Sequence, residues 1–109
     1  MAYLYLTIAI LAEVIGTSAL KASKEFTSLV PSLVVVAGYG VAFYFMTLAL
    51  RSIPIGITYA VWSGVGIVLI TIAGVFLYKE IPDVPEIIGM GLIVAGVAVI
   101  HMFSKTVSH

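Results

Sequence analysis

One acid stands alone among apolar residues. Glu13 is the only charged side chain inside any of the chain's four long apolar runs. It lies about two residues from the middle of the first run. A charge at that depth of a bilayer costs about 2.5–3.5 kcal/mol on insertion scales, so such residues face a bundle interior or a watery cavity. Helical spacing puts Leu6, Ala9, Ile10, Gly16, Thr17 and Leu20 on the same face. Small residues and one hydroxyl suit a close-packed, slightly polar space. No basic residue shares its depth, and Lys21 lies two turns on, at the end of the same helix. A confined carboxyl with no partner charge can take up a proton or exchange it for another cation. The alternative is a protonated Glu13 that merely hydrogen-bonds between helices.

A second group of side chains could complete such a receptor. Tyr59, Trp62, Ser63 and Gly66 fall at i, i+3, i+4 and i+7, one face of a helix. Aromatic rings beside a carboxylate hold organic cations through cation–π attraction and charge. Tyr59, close to a helix start, also suits an interfacial anchor. The neighbouring Gly64 and Gly66 weaken the helix and allow a kink or a close crossing. Tyr39, Phe43 and Met46 make a further stripe, with packing as its simpler role. Gly89, Leu92, Ile93 and Gly96 mark a helix face that lets another backbone approach. His101 reads as a solvated or snorkelling residue near an interface. The sequence has no phosphate loop, metal-ligand cluster or hydrolase triad, so neither enzyme chemistry nor nucleotide hydrolysis is expected. No metal or cofactor is expected either.

The elements that must position these residues are membrane helices. Of 109 residues, 62% are hydrophobic and 9% charged, and the mean hydropathy is +1.25. Ten charged residues cannot skin a soluble domain, which carries about 25% charged residues. A soluble enzyme, a nucleic-acid binder and a disordered tail are thereby excluded. About 20 helical residues cross a bilayer, so four crossings nearly exhaust the chain as one domain over 1–109. The expected spans are 2–20, 32–50, 55–78 and 87–103, each bounded by charges or prolines. The runs are apolar all round, which excludes a barrel. The first run lacks a basic leader and contains an acid, so it is expected as a retained helix rather than a cleaved signal. There are no cysteines, hence no disulfide or thiolate site. Short loops make successive helices antiparallel neighbours.

Positive charges are nearly balanced across the membrane. Arg51 and Lys105 fall on one side, and Lys21, Lys24 and Lys79 on the other. Orientation follows Lys/Arg asymmetry, and two against three leaves both insertion modes open.

Three stretches carry a family resemblance. Ala9-Ile10-Leu11-Ala12-Glu13-Val14-Ile15-Gly16-Thr17 resembles the first helix of the small multidrug resistance family. The run from Ile53 to Gly66, which includes Tyr59-Ala60-Val61-Trp62-Ser63-Gly64-Val65-Gly66, resembles its third-helix signature. The run from Ile87 to Val97 resembles its fourth, dimerising helix. The likeness covers essentially the whole chain. It implies an antiparallel homodimer of four-helix chains inserted in both orientations in the bacterial inner membrane. It also implies proton-coupled antiport of hydrophobic organic cations, with the proton gradient as the energy source. Glu13 of both subunits would bind proton or cation alternately. Tyr39, Tyr59 and Trp62 would line the pocket, with Thr17 and Ser63 as nearby hydroxyls. Gly64, Val65 and Gly66 would kink the third helix, and Gly89, Leu92, Ile93 and Gly96 would make the dimer contact.

Gly16-Thr17 and Trp62-Ser63-Gly64 resemble the multidrug, quaternary-cation branch, whereas Lys79-Glu80 resembles the guanidinium branch. Export of guanidinium-type cations is therefore the alternative within the family. A small oligomeric channel or pore is the alternative outside it.

Overall fold

A computed structural model describes residues 1–103. Every regular element among them is an α-helix: α1 (Ala2–Ala22), α2 (Leu29–Ala49), α3 (Ile55–Tyr78) and α4 (Val84–Phe103). All four are long and apolar enough to cross a membrane. At 1.5 Å per residue, the shortest is about 30 Å long, the thickness of a hydrocarbon core. Lys105, counted above in the charge balance, lies outside the described residues.

Two helices start earlier than the prolines suggest. α2 begins at Leu29 and α4 at Val84, so Pro31 and Pro85 sit inside first turns. Amide groups there have no intrahelical acceptor, so proline sacrifices nothing. Asp83 strengthens the start of α4, its Oδ1 accepting the Glu86 N–H at 3.0 Å. α1 extends past Leu20 to include Lys21.

The chain forms a slab 46 × 35 × 16 Å. α1 packs most extensively on α2 and also on α3, while α4 packs mainly on α3. The buried centre consists of Leu6, Ile10, Ala49, Ile53 and Ile57. α1 and α2 approach closely because Gly16 and Gly38 face each other. A Cβ on Gly38 would lie 2.8 Å from the Ala12 carbonyl oxygen and 3.0 Å from the Gly16 Cα. Small-on-small contact of this kind is how membrane helices gain packing without a hydrophobic driving force. α4 contains no buried residue, and a Cβ on Gly89, Gly91 or Gly96 would meet nothing within 4 Å. Its docking on α3 rests on a notch: a Cβ at Gly64 would lie 2.6 Å from Val97 Cγ2.

The loops are held by specific bonds. Lys24, Glu25 and Phe26 are successive left-handed residues. The turn is braced by buried Ser23, whose hydroxyl donates to the Leu20 carbonyl at 2.6 Å and accepts the Phe26 N–H at 3.2 Å. After α3, Lys79 is also left-handed, with φ 57°. The Glu80 N–H returns to the Gly74 carbonyl at 3.1 Å, which closes the end of α3 by satisfying one of its last carbonyls.

Candidate functional site

Glu13 stands half-buried in the middle of α1, at the wall of a cavity of about 270 Å³ that α3 closes from the other side. Thr17, Tyr59, Trp62, Ser63 and Gly66 line the same cavity. The i, i+3, i+4, i+7 face read from the sequence is thus the face α3 turns to Glu13. Gly66 faces Glu13 across the cavity: a Cβ there would stand in ordinary contact, 3.9 Å from Glu13 Oε2 and 3.5 Å from Trp62 Cδ1. The cavity is not sealed: Tyr59 is 66% exposed, and Ser63 is exposed as well.

A hydroxyl relay supports the carboxylate. Thr17 Oγ1 donates to Glu13 Oε1 at 2.6 Å. Thr17 Oγ1 also lies 2.5 Å from the Tyr39 hydroxyl. A threonine hydroxyl has one proton. With that proton on Glu13, the Tyr39 O–H must donate to Thr17. Tyr39 therefore acts on Glu13 through Thr17 and does not form the cavity wall itself. Its ring stacks on Phe43 at 6.2 Å, and Phe43 meets Trp62 at 6.2 Å. An aromatic series thus links α2 to the cavity. Phe43 belongs to the stripe seen in the sequence, but nothing in the stripe marked it as the link to Trp62.

No Lys or Arg among the described residues lines this cavity. The residues around Glu13 are hydroxyls, rings and apolar side chains, a donor set suited to one monovalent cation or one proton. No group of three or more His, Asp or Glu that could hold a metal occurs among the described residues.

The other sequence-derived candidates fall elsewhere. Leu20, expected on the Glu13 face, is exposed, whereas Leu6, Ala9, Ile10 and Gly16 are buried. α3 runs as one helix through Gly64, Val65 and Gly66. There Gly64 receives Val97 and Gly66 faces Glu13. Leu92, Ile93 and Gly96 are exposed on α4, and Gly89 is half-buried. His101 meets Tyr3 edge-on, with ring centroids 5.8 Å apart. A larger groove of about 650 Å³ runs between α1, α2 and α3, but its lining is almost wholly apolar and contains no charge.

Sequence comparison bears on the whole of this arrangement. A family model described as Small Multidrug Resistance protein matches residues 1–93. The quaternary ammonium compound-resistance protein QacE of Escherichia coli is 54% identical over 107 residues, covering 98% of this chain and 97% of QacE. QacF of Klebsiella aerogenes, of the same description, is 56% identical over 107 residues, with the same coverage of 98% and 97%. A multidrug transporter of Pseudomonas aeruginosa is 48% identical over 107 residues, again 98% of this chain and 97% of its own. With four helices of membrane-spanning length and relatives matched end to end, the chain is a multi-pass bacterial membrane protein that belongs to the small multidrug resistance family.

Proposed function

We propose that this chain exports hydrophobic, aromatic and quaternary ammonium cations across the bacterial inner membrane in exchange for protons, working as an antiparallel homodimer. The observation that carries the reading is the Glu13 carboxylate. It sits at membrane depth with a hydroxyl donor on one side, aromatic rings on the other and no cation in its cavity. Proton and organic cation compete for the same carboxylate, and that competition is the whole coupling device. Tyr59 and Trp62 offer ring faces and apolar area, while Thr17 and Ser63 add two small aliphatic hydroxyls. Bare guanidinium would leave N–H donors without acceptors in such a pocket, so large quaternary cations fit better. The names of the relatives agree with this choice.

Two observations support a second copy. The cavity opens at Tyr59 and Ser63, so one chain cannot enclose a flat aromatic ligand. A Cβ on any α4 glycine would meet nothing within 4 Å among the described residues, although each glycine costs a helix about 1 kcal/mol. A partner helix seated on Gly89, Leu92, Ile93 and Gly96 accounts for them. With opposite insertion the two halves of the chamber become equivalent. Access then alternates when the subunits exchange shapes, as in inverted repeats. Gly64, Val65 and Gly66 give α3 the pliable segment for that exchange. The proton gradient is the only energy source this requires.

The test uses purified protein. Adding tetraphenylphosphonium to the wild type releases protons, and Glu13→Gln abolishes both release and binding while remaining folded. Glu13→Asp retains part of the binding. Proton release by Glu13→Gln at the wild-type level overturns the assignment. Passive ion conductance without uphill cation movement would make the protein a pore.

A further inference from the structure

A second carboxylate–aromatic arrangement lies at the membrane face of the same molecule. Glu80 forms an ion pair with Lys21, and the Lys21 ammonium stands 5.1 Å from the Tyr78 ring centroid. Tyr78 is fixed, because its hydroxyl donates to the Ser18 carbonyl oxygen. Glu80 is fixed by the left-handed Lys79, which turns the chain back so that the Glu80 side chain lies over Gly74. A Cβ on Gly74 would be 3.2 Å from Glu80 Oε1, so a side chain there would crowd the carboxylate. These residues line a cavity of about 180 Å³ that shares Thr17 and Ile70 with the Glu13 cavity. Ser18 lines it too, and its hydroxyl is buried without a hydrogen-bond partner among the described residues.

We propose that this cavity is an entry subsite for the transported organic cation, with the Lys21 ammonium as its resident occupant. The inference rests on the cation-export reading and adds a waiting position to it. The structure already shows an ammonium held there by a carboxylate and a ring, the same two groups that Glu13 and Trp62 present deeper in. Lys21 is easily displaced. Its side chain is 60% exposed and that of Glu80 55%, and an exposed pair contributes little to stability. An incoming cation takes Glu80 and the Tyr78 face, Lys21 swings out to water, and the cation passes Thr17 to reach Glu13. The step is an exchange of one cation for another, with no bond made or broken.

The two partners of the ion pair give the idea its test. If the pair were only a structural latch, removing either side would have the same effect. A subsite with a resident competitor demands opposite effects. Stopped-flow measurements on the full chain in detergent follow quenching of Trp62, the single tryptophan, on adding tetraphenylphosphonium. Glu80→Gln should slow association roughly tenfold at low salt, with the loss shrinking as salt rises. Lys21→Met should speed association several-fold. Lys24→Met, a loss of positive charge in the same loop region, measures the general field effect. Effects of the same sign for Glu80→Gln and Lys21→Met overturn the proposal, as does a Lys21→Met effect no larger than that of Lys24→Met. Proton release per bound cation stays at the wild-type value in all three variants, since Glu13 is intact. Its absence from the wild type would count against the Glu13 reading and leave the comparison of association rates standing.

Discussion

Replacing Gly38 by alanine tests whether the α1–α2 crossing positions the relay to Glu13. The added methyl group would lie 2.8 Å from the Ala12 carbonyl oxygen, a backbone atom that cannot swing aside. Ordinary contact begins at 3.4 Å, so α2 must retreat by about 0.6 Å. The Tyr39 hydroxyl, one residue on, retreats with it. Its 2.5 Å contact with Thr17 then stretches to about 3.1 Å, beyond the usual O–H···O range. Two opposing terms set the stability change. Overpacking costs about 1–3 kcal/mol, and alanine's better helix propensity returns about 1 kcal/mol. The expected net loss is about 0–2 kcal/mol. A weakened relay bond of about 1 kcal/mol corresponds to roughly fivefold weaker cation binding. Gly40→Ala is the matched control, because its Cβ would meet nothing within 4 Å. It should be neutral or stabilising, with wild-type affinity. Denaturation in mixed micelles and calorimetric titration with tetraphenylphosphonium read the two quantities. If Gly38→Ala is as stable as Gly40→Ala and binds as the wild type does, the crossing does not position the site.

Other substitutions probe the remaining parts. Gly64→Ala should destabilise the docking of α4 by about 1–3 kcal/mol through its clash with Val97, and Val97→Ala in the same chain should restore much of the loss in a double-mutant cycle. Trp62→Ala should weaken aromatic quaternary cations by about 0.5–2 kcal/mol from the lost ring face alone, and parallel titration with guanidinium should show a far smaller change. Moving two lysines from the Lys21/Lys24 side to the Arg51 side, which turns three against two into one against four, should drive most copies into one orientation, as read by labelling single introduced cysteines from each face. Labelling of unmodified-charge protein from one face only would exclude insertion both ways.

Glu13 was legible because a lone charge in an apolar run has few explanations, and the α3 face because aromatic and small residues recur at helical spacing. The prolines misled at two helix starts. Proline is read as a boundary, yet it fits equally well in a first turn, and Pro31 and Pro85 take that place. Gly38 carried no signal of its own. A glycine in a membrane span looks the same whether it faces a backbone or lipid, and only the approach of Ala12 and Gly16 separates it from Gly40. The Lys21–Glu80 pair was hidden for two reasons. Its members are 59 residues apart, and the left-handed turn that brings them together is made by Lys79 rather than glycine.

The loose attachment of α4 has a consequence for assembly. The buried centre is supplied by α1, the end of α2, the loop beside it and the start of α3. α4 buries no residue of its own. A subunit built this way has its main packing in α1, α2 and α3, and holds its most outward helix through the Gly64–Val97 notch, the Thr71–Met90 contact, and Ile100 and His101 near its end. In the homodimer proposed above, two such subunits would separate and re-pair without either one unfolding. Mixed with a homologue of similar outer surface, copies paired in that way would trade partners at the rate of helix undocking rather than of chain folding. A cell producing two such chains would carry mixed pairs as well as pure ones, and a defective copy could spoil a sound one.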